Sequence, residues 1–148
     1  MQIYQSLDPG FETRVRSSFE SQKVMQFIGA SLLKVLPGEV HIEFPFNTFL
    51  TQQNGYIHAG IITTVIDSAC GAAAYSLMAP ENGVLSIEYK VNFLSPAVGE
   101  KFLGIGRVIK AGRNITVCSG EFFAKGNGSD KLVAVMQATM MTMAKYHD

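Results

Sequence analysis

Asp67 is the single charged residue in the run Ala59 to Met78, a stretch otherwise made of small and apolar side chains. A carboxylate in such company stays neutral, finds hydrogen-bond donors, or does chemistry. Nine positions upstream stands His58, at what the pattern predicts to be the start of a helix. Free backbone N–H groups and about half a unit of positive charge gather at such an end. A polarising helix start and an isolated carboxylate together suit a site that handles a carbonyl group. The competing reading makes Asp67 a structural acid bonded to the Thr63 or Thr64 hydroxyls, and His58 a satisfied helix-start residue.

The elements that must position this pair are legible from periodicity. Asp8-Pro9 reads as an N-cap and first helical residue, and Phe11, Val15 and Phe19 recur at helical spacing. A short amphipathic helix from Phe11 to about Met25 is predicted. Two strands follow, Ala30 to Val35 and Val40 to Phe46, around Leu36-Pro37-Gly38-Glu39. The long apolar helix spans about Ala59 to Met78. In Val84 to Leu94 the apolar Leu85, Ile87, Tyr89, Val91 and Phe93 alternate with Ser86, Glu88, Lys90 and Asn92. That period of two predicts a strand with one buried face. Lys101 to Lys110 and Asn114 to Ala124 flank the turn Ala111-Gly112-Arg113, and a last strand runs from Leu132 to about Met143. Successive hairpins are antiparallel, and a helix apolar nearly all round must be enclosed. The expected class is α+β, a curved antiparallel β-sheet wrapped around one long central helix.

Composition narrows the partners. With 148 residues the chain reads as one domain, 1–148, able to bury a real core. Apolar residues make up 47% and charged residues 16%, a density low enough to predict an oligomer interface. Twelve acids balance twelve Lys and Arg with no basic run, which argues against a nucleic-acid partner. Cys70 and Cys118 form no metal or redox spacing and read as small buried hydrophobes. The first eight residues lack a basic region followed by an apolar core, so the expected location is cytoplasmic. Asp67 at its centre and the missing Lys or Arg anchors argue against membrane insertion of the Ala59–Ala79 stretch. Glu43 and Glu88 read as exposed strand acids, and the cluster Met136, Met140, Met141 and Met143 as core packing.

Three stretches carry a family resemblance. Asn54-Gly55-Tyr56-Ile57-His58-Ala59-Gly60 is followed by Asp67 nine residues after the His. Leu94-Ser95-Pro96-Ala97 with Gly99-Glu100 ends the strand after the helix, and Val108-Ile109-Lys110-Ala111-Gly112-Arg113 forms the next hairpin. With the element order, these resemble the hotdog-fold thioesterases, more narrowly the PaaI-type (phenylacetyl-CoA thioesterase-like) branch of the 4-hydroxybenzoyl-CoA thioesterase superfamily. The resemblance implies an acyl-CoA thioesterase. Asp67 would be general base or nucleophile, and the Ala59 or Gly60 amide next to His58 would polarise the thioester carbonyl. It also implies substrate-binding roles for Ser86, for one of Gln52, Gln53 or Asn54, and for Lys110 and Arg113 toward coenzyme A phosphates. Where relatives have Gly after the His, this chain has Ala59, which keeps the backbone donor and adds a methyl.

Asp67 lies about two turns into the helix, roughly 12 Å of rise from its start, too far for both ends to touch one carbonyl carbon. A symmetric homodimer, in which one subunit's helix start faces the other's Asp67, solves this, and a dimer of dimers is compatible with it. The face Gly60, Thr63, Thr64, Asp67, Gly71, Ala74 would allow close approach, with Ile62, Val65, Ile66, Ala69, Ala73 and Leu77 toward the sheet. No metal is expected, because Asp67 has no companion ligands, and no cofactor beyond the coenzyme A of the substrate. Two alternatives share the fold: a non-catalytic acyl-CoA-binding protein, and a hydratase or dehydratase.

Overall fold

The computed structural model describes residues 2–126 and 128–144. Six strands form one curved antiparallel sheet in the order β1-β2-β4-β5-β6-β3. They are β1 Ser31–Leu36, β2 Glu39–Pro45, β3 Asn82–Phe93, β4 Lys101–Ala111, β5 Ile115–Gly126 and β6 Ser129–Ala144. One long helix, α3 (Ala59–Tyr75), lies against the inner face of the sheet. The predicted class and all six strands are found, with ends moved by at most three residues.

Helix and sheet meet where the sheet carries no side chains. A Cβ on Gly106 would lie 2.3 Å from the Ala69 carbonyl carbon, and one on Gly120 would lie 2.1 Å from Ile66 Cγ2. Both glycines are therefore required by the close approach of α3. Around them, the rings of Phe44, Phe102 and Phe122 from three neighbouring strands pack together with centroids 5.2 to 6.0 Å apart. All three are fully buried, as are Val65, Ile66, Ala69, Cys70 and Ala73 on the facing side of α3. Ala74, expected on the open small-residue face, is 1% exposed and belongs to this core.

The N-terminal helix is two helices, α1 (Phe11–Glu20) and α2 (Lys23–Ile28), with the chain extended at Gln22 between them. Gln22 leaves the helical path and accepts a hydrogen bond from Ser68 Oγ at 3.3 Å. Asp8 is not the N-cap. Gly10 takes that position, while the Asp8 carboxylate accepts the Gly10 N–H and pairs with Arg14 at 2.7 Å. The Arg14 guanidinium, 4.2 Å from the Tyr75 ring centre, donates to the Tyr75, Met78 and Ala79 carbonyls. The last turn of α3 is capped by a side chain from α1.

The strand β3 departs most from its sequence pattern. Ser86 pairs with Met140 and Glu88 with Thr139, so Ile87 is an extra, bulged residue. Ahead of the bulge, Val84 and Ser86 share the inner face with buried Met140; beyond it Tyr89, Val91 and Phe93 do. Leu85, expected inside, is therefore outside. The strand is also an edge, and Leu85, Ile87, Tyr89 and Phe93 are 46 to 51% exposed. Glu88 is exposed as expected and accepts from Thr139; Glu43 is not, being half-buried and paired with Lys101 at 3.4 Å. Met136 and Met140 are buried, whereas Met141 and Met143 are half-buried.

Candidate active site

The bulge in β3 brings Ser86 to Asp67. The serine hydroxyl donates to Asp67 Oδ1 at 2.7 Å, a charge-assisted bond that fixes one carboxylate oxygen. Among the described residues, Oδ2 has no hydrogen-bond partner. Thr63 and Thr64, the partners that a structural role for Asp67 would use, donate instead to the Ala59 and Gly60 carbonyls. Asp67 and Ser86 lie together on the wall of a cleft of about 150 Å³ between α1, α3 and β3.

At the other end of α3, His58 is the N-cap. Its Nδ1 accepts the Gly60 N–H at 2.8 Å, so in the neutral ring the proton sits on Nε2. That bond consumes one of the two expected oxyanion donors. The Ile61 and Ile62 N–H groups turn back to the His58 carbonyl. The Ala59 N–H is left without an acceptor among the described residues, and Ala59 lines an open cavity of about 390 Å³. Gln52 lines the same cavity, together with Tyr56, Phe93, Leu94 and Pro96. Its Oε1 accepts the Asn54 N–H, and its backbone closes the turn with Tyr56 and Gly55. Gln53 and Asn54 are exposed and do not reach this cavity.

Within one protomer the two halves stay apart. Asp67 and Ala59 line different cavities; the first lies under α1 and the second at the helix start. Lys110 is exposed at the end of β4, and Arg113 lines a third cavity of about 410 Å³ near the C-terminal end of α3. Neither approaches the helix start within the chain. No group of three or more His, Cys, Asp or Glu side chains able to hold a metal occurs among the described residues. No helix there is long and apolar enough to cross a membrane.

Some of what surrounds the site gave no sequence signal. Gln22 lines the cleft beside Asp67, but a helix drawn continuously to Met25 hides it; Phe19, legible as part of the apolar face of α1, lines the same cleft. On the outer sheet face Glu39 accepts from His41, Lys34 and Arg107, while Arg107 also reaches Glu121 at 2.6 Å. Both cysteines are fully buried; burial pushes the Cys118 thiol up to about 12 and raises Cys70 well above the ordinary range. Such thiols are inert packing groups.

Comparison with known proteins decides the family. The family described as the thioesterase superfamily matches residues 54–131, a span holding the helix start, Asp67, Ser86 and most of the sheet. The chain belongs to the thioesterase superfamily. A thioesterase family protein from Silicibacter pomeroyi is 46% identical, with a TM-score of 0.90 over 92% of this chain and all of that one. Human acyl-coenzyme A thioesterase 13 is 27% identical over 107 residues, 70% of this chain and 73% of that protein. The PaaI protein of the Escherichia coli phenylacetic acid degradation operon superposes with a TM-score of 0.83 over 94% of this chain and 97% of that one. At 16% identity that match speaks for the hotdog fold alone.

Proposed function

We propose that the protein hydrolyses acyl-CoA thioesters, with Asp67 of one protomer and the Ala59 amide of its partner completing each site. The observation that carries this is the Ser86-to-Asp67 hydrogen bond on the wall of an accessible cleft. It holds one carboxylate oxygen in place and leaves the other for a water. In the reaction, the water oxygen bonds to the thioester carbonyl carbon as its proton passes to Asp67. The oxyanion that forms is met by the Ala59 N–H at the positive end of α3. The C–S bond then breaks, and the proton passes to the departing sulfur, releasing acid and coenzyme A. Nothing in this sequence of steps calls for a metal or a cofactor.

The free edge of β3 supports the homodimer. Antiparallel pairing of two β3 edges about a two-fold axis closes the open backbone edge of the strand and gives the half-exposed Leu85 and Ile87 cross-strand neighbours. It also sets the Phe93 end of one strand, which lines the Ala59 cavity, against the Ser86 end of the other. Gln52 would then orient the thioester, and Arg113 of the facing protomer would lie nearest the nucleotide end. The His58 contact speaks against a dehydratase: in the neutral ring the one basic lone pair, on Nδ1, is engaged by the Gly60 N–H.

The test is thiol release from a panel of aryl and aliphatic acyl-CoAs by wild type and Asp67→Asn. Asn keeps the volume and removes the base, so a loss of about a hundredfold or more in kcat/KM is expected. Absence of hydrolysis, with coenzyme A esters still raising the melting temperature, would make this an acyl-CoA-binding protein. Enoyl products would make it a dehydratase.

A further inference from the structure

We infer that the cleft between α1, α3 and β3 is the acyl pocket, and that Gly71 and Phe19 restrict it to compact acyl groups, a single ring or a short chain. The inference rests on the thioesterase reading and adds the substrate class. The cleft starts at the reacting groups, since Asp67 and Ser86 are part of its wall. Beyond them Val15 and Phe19 of α1, Tyr75 of α3 and Val84 of β3 form an apolar wall, with Ser18, Gln22 and Ser68 as its polar part.

Size decides which end of the thioester enters. A volume of about 150 Å³ equals that of an apolar protein cavity able to take up benzene. Sites for drug-sized ligands occupy roughly 300–1,000 Å³, so the nucleotide end of coenzyme A is excluded. With the carbonyl carbon held at Asp67, only the acyl group can occupy the cleft, and a long chain overfills it.

Gly71 marks the place where the helix makes room. It stands four residues after Asp67, hence on the same face of α3 and one turn further along. A Cβ built there meets nothing within 4 Å, unlike those at Gly106 and Gly120. The missing side chain is not demanded by packing. Its absence widens the cleft beside the carboxylate. Across the cleft, Phe19 is 7% exposed and forms part of the α1 wall.

The experiment compares kcat/KM for acetyl-, butyryl-, benzoyl-, decanoyl- and palmitoyl-CoA in wild type, Gly71→Ala, Gly71→Leu and Phe19→Ala. Wild type should favour butyryl and benzoyl over decanoyl and palmitoyl by at least tenfold, the scale of discrimination set by a methylene or more in an apolar pocket. Gly71→Leu should lower benzoyl turnover about tenfold or more while acetyl is spared. Phe19→Ala should raise decanoyl relative to benzoyl by a similar factor. Should Phe19→Ala fail to fold, the Gly71 pair still decides, because Gly71→Ala adds a methyl to open space and improves helix propensity. Active variants with an unchanged acyl profile would overturn the pocket assignment and leave hydrolysis standing. Equal wild-type turnover of palmitoyl and benzoyl would do the same. A wild type inert toward every ester would overturn the hydrolase reading and this inference with it.

Discussion

The Ser86 hydroxyl reaches Asp67 because β3 carries one extra residue, Ile87, immediately after it. Side chains alternate along a strand, so an added residue exchanges the two faces for everything beyond it. Without the bulge, the alternation that turns Tyr89, Val91 and Phe93 inward would turn Ser86 outward. The bulge thus lets one strand keep its apolar inner face and still present a hydroxyl to the helix.

In the proposed reaction Ser86 is accordingly a positioning residue. Ser86→Ala should lower kcat roughly tenfold or more with little change in KM, the cost of a hydrogen bond to a charged group. Ser86→Thr keeps the hydroxyl and should recover most of the loss. An Ala variant with raised KM and unchanged kcat would assign the serine to substrate binding instead.

Ala59 allows a cleaner deletion of the proposed oxyanion donor. It is the first residue of α3, where proline is tolerated because that N–H has no helical partner. The preceding His58 is extended, with φ −61° and ψ 138°, as a residue before proline must be. Ala59→Pro should therefore keep the helix and remove only the donor. The expected loss in kcat is about 100- to 1,000-fold with unchanged thermal stability. Full activity in a folded Ala59→Pro enzyme would place the oxyanion elsewhere.

The sequence was most readable where one physical requirement dominated. A helix apolar on nearly every side, with one carboxylate, had to lie inside a sheet and had to explain that carboxylate. The strands were readable because alternation is a strong signal, as β2 demonstrates with Val40, Ile42 and Phe44 buried at every second position. What escaped notice were features that depend on a second element. The Ile87 bulge is set by the register with β6, and the capture of the Gly60 N–H by the ring of His58 is set by a rotamer. The break at Gln22 is tied to Ser68, 46 residues away. None of these leaves a trace in local composition.

Arg14 shows the same long-range logic in stability. Its side chain is 13% exposed, pairs with Asp8, and donates to the Tyr75 carbonyl at the end of α3 and to the Met78 and Ala79 carbonyls just beyond it. Arg14→Ala takes the charged partner from the Asp8 carboxylate, which keeps only the Gly10 N–H, and one donor from each of those carbonyls. A loss of about 3 kcal/mol is expected in chemical denaturation, the range for breaking a partly buried pair. The residual folded enzyme should turn over normally, since Arg14 caps the end of α3 opposite Ala59. An unchanged denaturation midpoint would count against the cap.

The outer-face pair Glu39 and His41 predicts how stability responds to acid. Burial lowers the His41 pKa, outweighing the opposing pull of the Glu39 hydrogen bond and charge. For Glu39 burial acts upward, but hydrogen bonds from His41 and Lys34 and the Arg107 charge outweigh it and hold the carboxyl low. Both groups therefore bind protons more readily in the unfolded chain than in the folded one. Stability from each is full above its unfolded value and is lost as pH falls. The melting temperature should begin to drop below about pH 6.5 through His41, and drop further below about pH 4.5 through Glu39. His41→Gln should abolish the upper part of that decline and leave the lower part in place. A melting temperature that rises as pH falls from 7 to 5.5 would show that protonated His41 is the favoured partner of Glu39, with the pair attraction prevailing over burial.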